Sequence, residues 1–426
     1  MSPSAKTCSA DLALPPWTLD LPGRGTPSPP VYGPGASQDD LAPPTTPVQQ
    51  LIPASYRRTS PDELDARIAA AKRALGERLV ILGHHYQRDE IVKFADFRGD
   101  SYKLSKLAAG RGDAEFIVFC GVHFMAESAD ILSGEHQTVI LPNMAAGCSM
   151  ADMASTDDVL ACWSELGRIY RGDPWASGAP NASPGLAGKQ SVAPVTYMNS
   201  AGSLKAFCGR EGGAVCTSSN AKAVVQWALA RAERVLFFPD EHLGRNTALA
   251  LGFSDEDLVV WDPRRPLGGL GSTELARARF ILWRGWCSVH TRFTVDQIGQ
   301  ARTEHPDVNV IVHPECRREV VELADFAGST ERICQVIAEA PAGTKWAVGT
   351  EITLVRRLAA EMPDKRIWCL DPVVCPCSTM YRIHPAYLCW VLEALVDGQV
   401  VNRVKVDSST AHWARIALDR MLQIAG

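Results

Sequence analysis

Two stretches of this chain carry the same short word at the same distances from their neighbours. Phe94-Ala95-Asp96-Phe97-Arg98-Gly99-Asp100-Ser101 and Leu323-Ala324-Asp325-Phe326-Ala327-Gly328-Ser329-Thr330 each follow an apolar, β-branched run that ends in a polar cluster. The first cluster is Gly83-His84-His85-Tyr86 and the second is His313-Pro314-Glu315. His84 precedes Ser101 by 17 residues, as His313 precedes Thr330; Ser101 precedes Cys148 by 47, as Thr330 precedes Cys377. A shared word held at fixed offsets marks an internal structural repeat, which restricts the fold to copies of one unit.

The middle of the chain holds a third, looser copy. The run Pro194–Tyr197 ends in Tyr197-Met198-Asn199; Ser218 follows Tyr197 by 21 residues and Cys287 follows Ser218 by 69. The order is the same: a polar strand end, a hydroxyl at a helix start, a cysteine. The wider gaps predict extra loops, for which the Gly/Pro/Ala/Ser-rich stretch 172–194 and residues 262–273 are candidates.

Short apolar runs alternate with helical patterns along the rest of the chain. Residues 78–82, 116–119, 138–141, 194–197, 214–217, 234–238, 308–312 and 346–348 read as strands, and residues 221–229 and 351–358 as helices. Alternation of this kind predicts α/β units with parallel sheets. Ser60-Pro61-Asp62-Glu63 is a helix start, with a hydroxyl cap, proline in the first turn and acid after it. Before it, residues 1–55 hold 12 of the 28 prolines, too many for a ladder or a packed helix. The expected organisation is a disordered Pro-rich extension over 1–59, a first α/β repeat over 60–149, an enlarged second over 150–287 and a third over 288–377. The C-terminal segment 378–426 is expected to pack back on the first. Three α/β/α domains around a pseudo-threefold axis would aim three strand ends at one central cavity.

Charge and cysteine usage narrow the function. A net charge of −5 argues against a nucleic-acid-binding surface over the whole protein. No run of 18 apolar residues is present, so no membrane-spanning helix is expected. The first residues lack the apolar stretch of a signal peptide, so a cytoplasmic protein is expected. In that compartment its 13 cysteines are metal ligands or small core residues rather than disulfides.

In open α/β sheets, ligands bind beyond the carboxyl ends of strands, beside helix N-termini that favour anions. Ser101, Ser218 and Thr330 are therefore candidates to hold carboxylates or a phosphate, although each alone reads equally as a helix N-cap. His84, Tyr86, Tyr197, Asn199, His313 and Glu315 are candidates to bind polar groups of a substrate or to move protons. Cys148, Cys287 and Cys377 supply one thiolate per repeat. Three thiolates without a fourth fit zinc with an open position, or a 4Fe–4S cluster with one iron left free to act as a Lewis acid. Cys375 is a rival to Cys377, and the 47-residue offset selects Cys377. Cys120, Cys162, Cys208, Cys216, Cys316, Cys334, Cys369 and Cys389 read as mostly buried structural residues.

These residues sit in motifs with a family likeness. From about residue 60 to 426 the chain resembles the quinolinate synthase family of bacterial NAD biosynthesis. The likeness rests on Leu82-Gly83-His84-His85-Tyr86-Gln87, Asp96-Phe97-Arg98-Gly99-Asp100-Ser101, Ala146-Gly147-Cys148-Ser149-Met150, Tyr197-Met198-Asn199-Ser200 and Cys216-Thr217-Ser218-Ser219-Asn220. It continues through Pro239-Asp240-Glu241-His242-Leu243-Gly244-Arg245, Gly285-Trp286-Cys287-Ser288-Val289-His290, His313-Pro314-Glu315-Cys316, Gly328-Ser329-Thr330, Val348-Gly349-Thr350-Glu351 and Cys377-Ser378-Thr379-Met380. The resemblance implies a three-domain α/β/α fold and one 4Fe–4S cluster on Cys148, Cys287 and Cys377. It implies condensation of iminosuccinate with dihydroxyacetone phosphate to quinolinate, phosphate and water. His84, Ser101, Tyr197, Asn199, Ser218, His313, Glu315 and Thr330 fall on the family's substrate-binding positions, and Tyr86 and Glu315 on its proton-transfer positions. An aspartate-oxidising enzyme is implied as the source of the imine; no nucleic acid or membrane is expected as a partner. Glu241-His242 and Asn246 depart from the family pattern, and they are expected to affect loop structure and regulation and not the chemistry.

Overall fold

The computed structural model describes residues 51–110, 112–171, 190–371, 373 and 376–424. Residues 1–50 of the expected extension, most of the stretch 172–194 and Cys375 lie outside the described residues.

In chain order, the first unit runs α1 (Ala54–Arg58), α2 (Pro61–Leu75), β1 (Leu79–His84), α3 (Asp89–Val92), β2 (Phe97–Gly99), α4 (Ser101–Gly110), β3 (Phe116–Cys120), α5 (His123–Leu132) and β4 (Thr138–Ile140). The second runs α6 (Thr156–Arg171), β5 (Gln190–Tyr197), α7 (Gly202–Arg210), β6 (Ala214–Cys216), α8 (Ala221–Arg231), β7 (Ala232–Phe238), α9 (Glu241–Ala250), β8 (Leu258–Trp261), α10 (Ser272–Arg277) and β9 (Phe280–Trp283). The third comprises α11 (Val295–Glu304), β10 (Val308–Val312), α12 (Arg318–Leu323), β11 (Phe326–Ala327), α13 (Thr330–Glu339), β12 (Lys345–Gly349), α14 (Ile352–Glu361) and β13 (Arg366–Cys369). The tail adds α15 (Pro385–Val396), β14 (Arg403–Val404) and α16 (Ser408–Ile424).

One strand order occurs three times. The sheets read β2-β1-β3-β4, β6-β5-β7-β9 and β11-β10-β12-β13, and every pairing within these sets is parallel. The first sheet gains β14 as an antiparallel edge and the second gains β8 beside β9. The architecture is thus three α/β units with parallel-dominated sheets flanked by helices.

The shared word does the same work twice. Asp96 accepts the Ile81 N–H and Asp325 accepts the Val310 N–H, each at 2.8 Å. Lys72 bonds the Phe94 carbonyl and pairs with Asp96, as Arg302 bonds the Leu323 carbonyl and pairs with Asp325. A carboxylate that satisfies a strand N–H therefore places β2 and β11 beside β1 and β10. These two edge strands are too short, at 3 and 2 residues, to show an alternating pattern.

The helix start at Ser60 forms as expected: its hydroxyl accepts the Glu63 N–H, with Pro61 in the first turn. The expectation of disorder up to residue 59 needs correction, because Ala54–Arg58 is helical. Tyr56 on that helix donates to Glu393 of α15 at 2.6 Å, and Arg67 of α2 pairs with the same carboxylate, which ties the segment down. The tail divides its contacts. α15 lies on α2 and β14 extends the first sheet, whereas α16 packs mainly on α7 of the second unit.

That last contact needs a glycine. A Cβ at Gly209 of α7 would sit 1.9 Å from the Trp413 carbonyl oxygen of α16. Gly209→Ala must separate two backbones, so it is expected to destabilise by on the order of 3 kcal/mol, the upper range for overpacking. Urea unfolding checks this; an unchanged midpoint contradicts the close contact.

Candidate active site

β1, β5 and β10 occupy the same second place in their sheets, and their carboxyl ends open on one cavity. His84 closes β1, Tyr197 closes β5, and His313 follows the last residue of β10. The cavity wall includes His84, Tyr86, Tyr197, Asn199, His313 and Glu315, together with the three hydroxyls Ser101, Ser218 and Thr330 and the three cysteines Cys148, Cys287 and Cys377. All the site residues read from the sequence thus come together, from three sheets.

The hydroxyls are not used up as helix caps. Asp100 accepts the Lys103 N–H at the start of α4, which leaves the Ser101 hydroxyl to the cavity. Ser329 accepts the Arg332 N–H and caps α13, leaving Thr330. Ser218 differs from expectation: it lies in the turn before α8, whose N-cap position is Asn220. Asn220 accepts the N–H and hydroxyl of Thr217, shaping the turn that carries Ser218 to the wall.

The cysteines share a local structure. A short 3₁₀ turn begins three residues after each of them, at Ala151, His290 and Met380. Each cysteine carbonyl accepts the N–H four residues on, at 3.1 Å in all three cases. Backbone N–H groups of the turns point back at the sulfurs: Ala151 and Met150 at Cys148, His290 at Cys287, Met380 and Thr379 at Cys377. Burial pushes the Cys148 thiol up to about 12 and raises the other two. The N–H groups and any bound cation oppose that effect and favour the thiolates. Glu351, the N-cap of α14, accepts the Cys377 N–H at 3.2 Å and anchors the third cysteine.

A buried hydrogen-bond network crosses the cavity. Glu315 is 2% exposed; Tyr197 donates to one of its oxygens at 2.5 Å, and His290 Nδ1 lies 2.6 Å from the other. Burial raises the Glu315 carboxyl, but His313, His290 and the two hydrogen bonds outweigh it, and the group is held down at about 2. With Glu315 ionised, His290 carries its proton on Nδ1, and Nε2 faces the Tyr86 hydroxyl at 3.3 Å and the Thr350 hydroxyl at 3.1 Å. Tyr86 and Thr350 are themselves 2.7 Å apart. Burial, then the Glu315 charge, raises both tyrosines well above their usual range, so they are neutral donors.

His84 and His313 match one another. The N–H two residues on, from Tyr86 and from Glu315, reaches the Nδ1 of each at 3.1 and 3.3 Å. Each ring therefore carries its proton on Nε2. Burial first, and neighbouring imidazoles second, lowers both to about 3. They are neutral in the fold, whereas an unfolded histidine takes a proton below about 6.5. The unfolded chain then binds more protons between these values, so stability falls as pH drops from about 6.5 toward 3. The melting temperature is expected to decrease from pH 7 to pH 5, and to decrease less in His84→Gln/His313→Gln. Equal slopes would contradict the neutral assignment.

A second donor set in the cavity rivals the three cysteines. Cys287, His290 and Glu315 offer ligand atoms within 4.8 Å of one another, close enough for one cation. Both Glu315 oxygens and the His290 Nδ1 are already spent on hydrogen bonds. Among the described residues the three sulfurs meet only the backbone N–H groups of their own turns and, at Cys377, the Thr379 hydroxyl. Their wall is otherwise largely apolar, with Val122, Phe124, Met125 and Met150 nearby. A soft cluster with sulfur ligands fits this donor set.

The family model for quinolinate synthetase A protein matches residues 66–423. The chain belongs to the quinolinate synthetase A family. A protein named quinolinate synthase from Corynebacterium glutamicum is 56% identical over 396 residues, covering 93% of this chain and 96% of that protein. Proteins of the same name from Acidobacterium capsulatum and Rhodopirellula baltica are 54% and 48% identical, covering 85% and 95% of this chain and 93% and 100% of their own. Among the described residues of this family member, no helix is long and apolar enough to cross a membrane.

Three residues of the site were missed by reading the sequence for roles. His290 links Tyr86 to Glu315, and its only signal was the Cys-x-x-His spacing after Cys287. Thr350 ends the strand turn after β12 and meets both Tyr86 and His290. Asn246, expected to affect only a loop, donates to the Pro314 and Cys316 carbonyls at 2.9 Å each. It thereby clamps the backbone on both sides of Glu315.

Proposed function

We propose that the chain is a quinolinate synthase that condenses iminosuccinate with dihydroxyacetone phosphate to quinolinate, phosphate and water, with a 4Fe–4S cluster on Cys148, Cys287 and Cys377. The observation that carries the reading is one cavity lined by three equivalent cysteines and three hydroxyls near helix starts, in a family whose members bear that name. An aspartate-oxidising enzyme would supply the labile imine, and a reducing cytoplasm suits the thiols.

When bound, the cluster supplies a Lewis-acidic iron without a protein ligand. The protein's own residues do the rest. The substrates bring two carboxylates and a phosphate, and Ser101, Ser218 and Thr330 are placed to bind them. Asn199 on the cavity wall has a buried amide oxygen without a partner among the described residues and fits the amine or imine N–H. The neutral His84 and His313 donate from Nε2 to carbonyl or carboxylate oxygens. His290 Nε2, a lone pair in reach of the Tyr86 phenol, takes a proton released from the substrate; Tyr86 gives its own proton to a departing hydroxyl and recovers one from His290. At about 2, Glu315 is a weak base. Its role is to keep the proton of His290 on Nδ1 and to orient Tyr197, so that it works through them. The apolar remainder of the wall excludes water from the imine.

Each of Ser101→Ala, Ser218→Ala and Thr330→Ala removes a hydrogen bond to an anion, worth about 1.5–3 kcal/mol. Affinity for substrate or product is expected to fall roughly 10- to 100-fold per site. Calorimetric titration with quinolinate and with dihydroxyacetone phosphate checks this; unchanged affinity in all three removes the anion cradle. The reading as a whole is tested by anaerobic purification followed by turnover. Brown protein that consumes dihydroxyacetone phosphate and makes quinolinate is expected. Colourless, zinc-loaded protein would favour a structural metal, and loss of water from a hydroxyacid without condensation would favour a hydro-lyase.

A further inference from the structure

We propose that a second pocket, between α1, the start of α2, the segment after β1 and the start of α15, binds the phosphate group of a small molecule, free or esterified. It is open to solvent and shares no wall residue with the central cavity. Three guanidinium groups line it, from Arg57, Arg58 and Arg88. Its two acids do not balance them: Asp65 is paired with Lys93, and Glu90 reaches only the Arg88 Nε, at 3.4 Å.

Arg88 is the residue that calls for a ligand. It is 7% exposed, and among the described residues its Nη1 has no hydrogen-bond partner, nor has the buried Arg57 Nε. Glu90 meets this buried cation through Nε alone, at 3.4 Å, which leaves the rest of the guanidinium to a second anion. The ring of Tyr381 lies 4.5 Å from the Arg88 guanidinium and fixes its plane, the preorganisation that two-pronged recognition of phosphate needs. His384, also buried, accepts the Ala386 N–H on Nδ1 and so carries its ring proton on Nε2, a further donor in the pocket wall. The N-terminus of the 12-residue helix α15 begins beside it and adds positive potential.

The pocket is wired to the central cavity. Arg88 follows Tyr86 by two residues, and Arg357 bonds the carbonyls of His85 and Gln87 on either side of Tyr86. Tyr381 follows Met380 in the turn after Cys377.

The test is calorimetric titration of the full-length holoprotein with inorganic phosphate and with adenosine monophosphate. Because the central hydroxyls are placed to bind phosphate as well, the readout is a second binding event, which is expected to weaken at least tenfold in Arg88→Met and to persist in Ser218→Ala and Thr330→Ala, which alter only the central cavity. If Arg88→Met does not fold, Arg57→Met, on a peripheral helix, is read in its place. No second event with either probe, or one lost in the central variants and kept in Arg88→Met or Arg57→Met, overturns the proposal. None of these outcomes depends on quinolinate being made, so the assignment of the central cavity is judged separately.

Discussion

Cys148→Ser, Cys287→Ser and Cys377→Ser are each expected to give colourless protein without bound iron, while Cys375→Ser stays brown. The three positions share a carbonyl-to-N–H bond of 3.1 Å, a following 3₁₀ turn and N–H groups directed at sulfur. A serine keeps the turn but offers a harder oxygen whose proton is far more difficult to remove than that of a thiol, so the variants should fold and still fail to hold a soft metal. Iron analysis and visible absorbance after anaerobic reconstitution check this, with circular dichroism as the control for folding. Iron retained in Cys377→Ser and lost in Cys375→Ser would move the third ligand by two residues.

Tyr86→Phe and Glu315→Gln are expected to bind substrates and to lose turnover by roughly 100-fold or more, the scale of general acid–base contributions. Their reasons differ. Tyr86→Phe deletes the hydroxyl that lies 2.7 Å from Thr350 and 3.3 Å from His290, and with it the proton donor. Glu315→Gln leaves the shape but removes the charge that holds the His290 proton on Nδ1 at 2.6 Å. The ring is then free to present N–H, not a lone pair, to Tyr86. His290→Ala should resemble Glu315→Gln in turnover. Single-turnover kinetics on cluster-replete protein read these effects apart from substrate binding. Near-normal turnover in Tyr86→Phe and Glu315→Gln, with His313→Ala inactive but still binding substrate, would transfer the acid–base role to His313.

What sequence reading reached and missed follows from physics. β1, β5 and β10 were legible because central parallel strands are buried on both faces and appear as apolar runs. Repeat spacing then located their polar ends, and with them the cavity wall. β2 and β11 were not legible as strands, since their pairing is set by Asp96 and Asp325 rather than by any pattern of their own. β13, at the edge of its sheet and only partly buried, and β8, added beside β9, were also passed over. Ser101 and Thr330 could be read as anion ligands or as caps, and only the observed bonds of Asp100 and Ser329 separate the two roles. His290 and Thr350 act across 204 and 264 residues of chain from Tyr86, and no local spacing encodes such a meeting. Asn246 was misjudged for the same reason: its partners lie 68 and 70 residues away.

The central claim is that the three cysteines serve one cluster on which quinolinate formation depends. It is tested most directly by measuring quinolinate formed from iminosuccinate and dihydroxyacetone phosphate, under strictly anaerobic conditions, in samples reconstituted to graded iron and sulfide content. The account predicts a rate that rises in proportion to the fraction of chains carrying four irons and vanishes in the cluster-free protein. Equal rates in cluster-free or zinc-loaded protein, or no quinolinate from fully reconstituted protein, would contradict it.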